Sequence, residues 1–254
     1  MTDYIVNYNG IMIKLIHISK SPEELANLFA ERLLLWIDEH TQSIYHIALS
    51  GGNTPSILFK LLADKYLFLI PWQKIHFWWG DERMVSPDNS ESNFKIANEL
   101  LLSKIAIPDH HVHRIRGEAD PVEEVKRYGA EIRSMLPMRN LKPVFDLILL
   151  GLGEDGHTAS IFPGQEHLFD TDEFTELSMH PVTSQLRITL TGKVLNSAWK
   201  IAFLVTGKAK AKVLSTILHH HKGAELYPAA RIHPKGELHW FIDQACMPVK
   251  PADY

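Results

Sequence analysis

Residues 144–153 read Val-Phe-Asp-Leu-Ile-Leu-Leu-Gly-Leu-Gly, a strand-length run that is apolar on both of its faces. A half-exposed strand alternates apolar and polar residues. A strand covered above and below, as in a parallel sheet flanked by helices, reads as one continuous apolar run. WKIAFLV at 199–205 repeats the pattern, and IYHIAL at 44–49 and KIHFWW at 74–79 come close to it. Helical spacing lies between these runs. Ser21 as N-cap, Pro22 at the first helical position and Glu24 two residues on open a helix that carries Leu25, Leu28, Phe29, Leu33 and Trp36. Further helices are expected from near Pro55, near 92–103, over about 121–136, and in the Lys/Ala-rich stretch after Thr206-Gly207. Strands at 11–18 and 238–242 complete the series. This alternation predicts an α/β fold, an open, mostly parallel Rossmann-like sheet with helices on both faces. No fixed-period repeat, low-complexity linker or break in composition divides the chain, so residues 1–254 are expected to form a single domain.

Composition removes several function classes. With 26 Lys and Arg against 30 Asp and Glu, the formal net charge is −4, and no general basic field exists for gripping nucleic acid. No apolar run approaches the roughly 18 residues of a membrane span, and the first twenty residues lack the pattern of a secretory signal. The single cysteine, Cys246, makes no internal disulfide and fits no zinc spacing. A cytoplasmic protein is expected, working as a monomer, with no nucleic-acid or membrane partner. The 15 histidines are the one oddity. His219, His220 and His221 at a helix end point in different directions, and His110, His111 and His113 have no carboxylate at a supporting spacing, so no metal site is expected.

In such folds the loops after the strands build the site. Four of these loops are rich in Gly, Asp, His or Lys: 50–55, 80–94, 151–164 and 206–211. Ser50-Gly51-Gly52-Asn53-Thr54-Pro55 lies between a strand and a helix. Its glycines let backbone N–H groups turn toward one point, the helix N-terminus adds positive potential, and Ser50 and Thr54 carry hydroxyls. A phosphate suits that turn, although it is neither a P-loop nor a dinucleotide fingerprint; a plain tight turn capped by Thr54 is the simpler reading. In Gly151-Leu-Gly-Glu-Asp-Gly-His157 three glycines permit close approach to a ligand. An imidazole titrating near pH 6.5 is a natural general base, and Asp155 is placed to orient it. Gly80-Asp81-Glu82-Arg83 follows two tryptophans, where three charges serve either an ion pair within the loop or a ligand. Arg187 and one of Lys208, Lys210 and Lys212 are candidates to meet an anion; a lysine run of this kind turns most of its members to solvent.

Together these segments resemble the 6-phosphogluconolactonases of the glucosamine-6-phosphate isomerase/6-phosphogluconolactonase superfamily. The resemblance rests on LSGGNTP (49–55), WWGDERMVSPDNSESNF (78–94), FDLILLGLGEDGHTASIFPG (145–164), RITLT (187–191), VTGKAKA (205–211) and YPAARI (227–232), in family order. It implies hydrolysis of 6-phospho-D-glucono-1,5-lactone to 6-phosphogluconate, a pentose phosphate pathway step, in the cytosol and with no metal or organic cofactor. By the same resemblance His157 falls on the catalytic histidine, Asp155 on its partner and Arg83 on the arginine of the lactonase loop. Ser50, Gly51, Gly52 and Thr54 fall on the phosphate turn. Arg187 and Lys210 fall on basic phosphate positions, Lys210 being preferred to Lys208 because the family pattern is G-x-x-K from Gly207.

Two alternatives stand beside this. The sister deaminases carry an Ala-Phe-Asn-Glu-Pro stretch after Asp-Gly-His and tend to have tyrosine after Asp-Glu. Here Thr158-Ala-Ser-Ile-Phe-Pro163 holds no carboxylate, and Arg83 follows Glu82. A non-catalytic sugar-phosphate sensor is expected to carry an effector module, and none is visible.

Overall fold

The computed structural model describes residues 3–8 and 12–247. Ile11, the first residue of one expected strand, and the two ends of the expected domain lie outside them. The strands, in chain order, are β1 (Asp3–Tyr8), β2 (Met12–Ser19), β3 (Tyr45–Leu49), β4 (Ile75–Trp79), β5 (Asp81–Arg83) and β6 (Val112–His113). Next come the short ribbon of β7 (Met138–Arg139) and β8 (Lys142–Pro143), then β9 (Leu147–Leu150) and β10 (Thr175–Met179). The last are β11 (Leu186–Leu190), β12 (Lys200–Val205) and β13 (Glu237–Asp243). The α-helices are α1 (Pro22–Asp38), α2 (Asn53–Lys65), α3 (Asn93–Leu100), α4 (Pro121–Met135), α5 (Gly192–Leu195) and α6 (Ala211–Leu218).

Among the described residues the main sheet has eight strands in the order β1-β2-β13-β12-β9-β3-β4-β6. Only β1, at one edge, runs antiparallel to its neighbour; every other pairing is parallel. The fold is therefore the open, mostly parallel α/β sheet expected. Every residue of β3, β4 and β9 is buried, which requires cover on both faces because side chains alternate. On β4 the alternation is explicit. Phe77 turns to the side where Ile47, Leu49, Leu58 and Phe59 gather beneath α1 and α2, and Trp78 turns to Tyr128 of α4, ring centroids 5.9 Å apart. Burying each such side chain is worth about 1.5–3 kcal/mol.

Helix α1 starts as its sequence predicts. Ser21 accepts from the Glu24 N–H at 3.3 Å, with Pro22 in the first turn. The stretch read as one strand over 144–153 is shorter than expected, because the chain enters the sheet only at Leu147 and leaves it after Leu150. The edge strands β1 and β6, the β7–β8 ribbon and β10 were not expected, nor was a second sheet. The segment after β4, read as a polar loop, contains β5, and β5 joins β10 and β11 in a separate three-stranded antiparallel sheet ordered β10-β11-β5.

Candidate active site

Strands β3 and β9 are parallel neighbours at the centre of the main sheet. From β3 the chain steps outward to β4, and it returns on the other side as β9, so the loops after these two strands part at a topological switch point. A Cβ placed on Gly151, the first residue of the second loop, would sit 3.9 Å from Ser50 Oγ in the first. The 50–54 turn and the 151–164 loop thus begin side by side.

Gly52 has φ +104° and ψ 179°, a conformation open essentially to glycine alone. It is the N-cap of α2, and no side chain caps that helix. Thr54 is therefore not the cap, which corrects the simpler reading. The helix begins at Asn53, earlier than expected, and Thr54 Oγ1 instead bonds Thr206 Oγ1 at 2.7 Å. Among the described residues no side chain caps the first-turn N–H groups of α2, the arrangement that attracts an anion.

In the second loop Asp155 Oδ1 accepts from the backbone N–H of His157 at 3.1 Å and from its ring Nδ1 at 2.6 Å. With the ring proton on Nδ1, Nε2 is left with a free lone pair. Partial burial opposes ionisation of Asp155, but the hydrogen bond and charge of His157 prevail and pull its carboxyl down to about 2. Gly153 lies so close that a Cβ there would overlap the His157 ring. Gly156, at φ +83°, lies against the ring of Tyr227 and accepts at its carbonyl from Ala229 N at 3.0 Å. The YPAARI segment thereby fixes the turn that aims His157.

The small sheet supplies the cations. Arg187 on β11 pairs directly with Arg83 on β5, so both guanidinium-bearing side chains leave the same face. Among the described residues neither forms an ion pair. Of the two readings of the Gly-Asp-Glu-Arg loop, the internal ion pair does not form among the described residues, because Asp81 Oδ2 is taken by Ser160 and Glu82 is engaged elsewhere. Its oxygens accept from the backbone N–H groups of Arg83, Asn93 and Phe94 and from Ser92 Oγ, which anchors the start of α3. Arg83 reaches the Glu91 carbonyl. Arg187 donates to Ser160 Oγ and Gln185 Oε1, each at 3.4 Å, and its guanidinium carbon stands 5.5 Å from the ring centre of Phe162. Burial, then the facing Arg83, weaken its hold on its proton. Arg83 Nε and Arg187 Nε are both buried without a hydrogen-bond partner among the described residues. Leaving such donors unpaired costs about 1–3 kcal/mol each, and an anionic ligand offers them an acceptor.

A chain of contacts joins the two halves. Arg187 donates to Ser160, Ser160 donates to Asp81 Oδ2 at 2.6 Å, and Asn93 Nδ2 donates to the Asp81 carbonyl at 2.9 Å. Asn93 Oδ1 abuts Gly51, where a Cβ would overlap it. Lys210 approaches from the far side. It is partly buried and lies 3.7 Å from Glu154, next to Asp155, whereas Lys208 and Lys212 are exposed. The 207–210 turn is tied down by Asp243, which accepts from Gly207 N at 3.1 Å and Cys246 N at 3.0 Å. Reasoning from motifs missed Ser160, Phe162, Asn93 and, with its ring 5.0 Å from that of Phe162, His180 as parts of this constellation. Asn93 lay in a quoted motif but was given no role, and His180 lay in a stretch with no motif. Among the described residues no group of three or more His, Cys, Asp or Glu is arranged to hold a metal ion, and no helix is long and apolar enough to cross a membrane.

Comparison with known proteins agrees with the geometry. Residues 20–240 match the family model for glucosamine-6-phosphate isomerases/6-phosphogluconolactonase. The chain is 45% identical to 6-phosphogluconolactonase of Aggregatibacter actinomycetemcomitans over 78% of its own length and 84% of the relative's. It is likewise 45% identical to that of Haemophilus influenzae, over 80% and 86%. The solved structure of 6-phosphogluconolactonase from Trypanosoma brucei superposes with a TM-score of 0.82 at 32% identity, covering 91% of this chain and 96% of that one.

Proposed function

The chain belongs to the glucosamine-6-phosphate isomerase/6-phosphogluconolactonase family, and from that premise we propose that it hydrolyses 6-phospho-D-glucono-1,5-lactone to 6-phosphogluconate with His157 as the general base. The observation that carries this reading is the Asp155–His157 pair, its Nε2 free, in one constellation with two arginines whose buried Nε atoms lack partners. In the reaction His157 Nε2 removes a proton from a water as that water attacks C1. The carbonyl oxygen takes up the negative charge, stabilised by Arg83 or by backbone N–H groups of the 151–157 loop. Collapse of the tetrahedral intermediate breaks the bond from C1 to the ring oxygen, and His157 returns its proton to that oxygen. General acid–base help of this kind is worth about 10² to 10⁴ in rate, and one oxyanion donor about 10² to 10³.

The phosphate is held at the far end by the 50–54 turn at the α2 N-terminus, by Lys210 and by Arg187. Holding it there converts binding energy into orientation of C1 over His157. No covalent nucleophile is required. Ser160 is buried and engaged with Asp81 and Arg187, a positioning task. The deaminase reaction of the sister enzymes is not favoured, since residues 158–163 offer no carboxylate for ring opening. The place of action we infer is the cytoplasm, in the pentose phosphate pathway, which suits a lone cysteine kept as a buried thiol.

The test follows disappearance of freshly generated 6-phosphogluconolactone near neutral pH by stopped flow, subtracting its spontaneous opening. Acceleration by the wild-type protein that falls at least 100-fold in His157→Ala is the expected result. A folded protein that gives no acceleration overturns the assignment.

A further inference from the structure

His180 opens the loop 180–185 that turns β10 back into β11, its own N–H bonded to the Gln185 carbonyl at 3.0 Å and its carbonyl accepting from Ser184 at 2.9 Å. Its ring Nδ1 accepts the backbone N–H groups of Val182 and Thr183, both at 3.2 Å. A nitrogen that receives two donors carries no proton itself, so the neutral ring keeps its hydrogen on Nε2 and presents a donor there. The ring stands edge-on to Phe162 with centroids 5.0 Å apart at 70°. Phe162 is fully buried, and it also meets the His157 ring at 4.7 Å and the Arg187 guanidinium at 5.5 Å. One phenyl ring therefore seats the proposed base, a proposed phosphate ligand and a third polar group that no motif assigns. Burial, then the charge of Arg187, push the His180 pKa down and so favour the neutral ring.

A lactone whose phosphate reaches Arg187 and whose carbonyl lies at His157 carries its hydroxyl-bearing carbons past the ring between them. We propose that His180 is a specificity-determining residue whose Nε2–H donates to a ring hydroxyl of the 6-phospholactone. This rests on the lactonase reading above. A neutral donor suits a hydroxyl oxygen, and the cations already present leave the phosphate to others.

Two variants separate the donor from the loop it stabilises. In His180→Asn the side-chain oxygen occupies the Nδ1 position and still accepts from Val182 and Thr183, but the Nε2 donor is gone. In His180→Gln the amide nitrogen reaches the Nε2 position. Each is assayed on 6-phosphogluconolactone, on its analogues lacking the hydroxyl at C2, C3 or C4, and on unphosphorylated gluconolactone. His180→Asn is expected to keep the wild-type unfolding midpoint and lose roughly 3- to 10-fold in kcat/KM on the full lactone. On one deoxy lactone it should match wild type, so that the preference for that hydroxyl disappears, and His180→Gln should recover part of the loss. An equal loss on every lactone makes His180 structural, and a loss that needs the phosphate but ignores the hydroxyls makes it a phosphate contact. Either result, or no loss at all, overturns the proposal. A wild-type protein without lactonase activity sinks the lactonase reading and this role with it, whereas an active wild type with unchanged ratios sinks the role alone.

Discussion

His157 owes its direction to a single carboxylate. Asp155 accepts from Nδ1 at 2.6 Å, and the hydrogen bond and charge of His157 hold its carboxyl down to about 2, so the carboxylate keeps the neutral ring's proton on Nδ1 and leaves Nε2 as the bare nitrogen. Asp155→Asn replaces an acceptor by a side chain that also donates, and the ring then turns its bare nitrogen toward the amide. The expected outcome is a kcat about 10² lower or more with KM little changed, since the lost interaction serves the transition state. A variant within threefold of wild type in single-turnover assays sinks the orienting role. Arg187 makes a different prediction. Its fork meets Ser160 and Gln185 and leaves Nε for a ligand; lysine offers one point charge and no fork. Arg187→Lys should raise KM about tenfold while kcat holds, and a fall in kcat alone places Arg187 with the carbonyl and not with the phosphate.

At the scale of elements, the site depends on two sheets, and the sequence shows them unequally. The main-sheet strands are long apolar runs whose periodicity is local, so β3, β4, β9, β12 and β13 are legible within a residue or a few. The small sheet is not. β5 is three residues, Asp-Glu-Arg, and its partner Leu186–Leu190 lies about a hundred positions downstream. Nothing local marks a charged triplet as a strand when its stabilisation comes from a distant pairing. Arg83 and Arg187 were each visible as cations, but their direct cross-strand pairing was not, and neither was Asn93 between the 50–54 turn and Asp81. That contact is testable. A Cβ at Gly51 overlaps Asn93 Oδ1, and Asn93 is held by its bond to the Asp81 carbonyl. Gly51→Ala is expected to raise KM tenfold or more, and Asn93→Ala to raise it less. In the double variant the second change should cost clearly less than it does alone, because both break one contact. Strict additivity in the four-way cycle shows that the turn and Asn93 act independently.

For the whole molecule, the switch point of the sheet gathers the site at one end of the strands, while the histidines that looked like a compositional oddity settle largely elsewhere, in the body of the fold. His76 bonds His113 at 2.9 Å and stacks on His111 at 3.9 Å, Trp78 stacks on His113 at 3.9 Å, and His46 accepts from the Trp78 indole at 3.2 Å. The carboxylate of Glu131 reaches His113 at 2.7 Å, and Arg127 pairs with Glu131 in turn. Burial first, and then the neighbouring imidazoles, lower His46 to about 4 and His76 to about 3, and His111 is lowered as well. The sign follows from linkage. An unfolded histidine takes its proton near pH 6.5, so below that pH the unfolded chain binds protons that the fold refuses. The contribution to stability is complete above about pH 6.5 and is lost as pH falls toward 4 and 3. The slope approaches about 1.4 kcal/mol per pH unit for each histidine kept neutral. Glu82 and Asp146, whose carboxyls burial raises, act oppositely, because the fold holds their protons to higher pH. His180, His220, His233 and His239 are lowered as well, so among the described residues seven lowered imidazoles, joined by lowered carboxyls such as Asp155 and Glu237, outweigh the two raised carboxyls and set the net direction. The urea midpoint should fall between pH 7 and pH 4.5. His76→Phe, which keeps a ring between His111 and His113 but removes the titrating group, should flatten that fall. A midpoint that stays level over this range in the wild-type protein, or a variant that tracks it with the same slope, shows that the histidine stack does not govern acid stability.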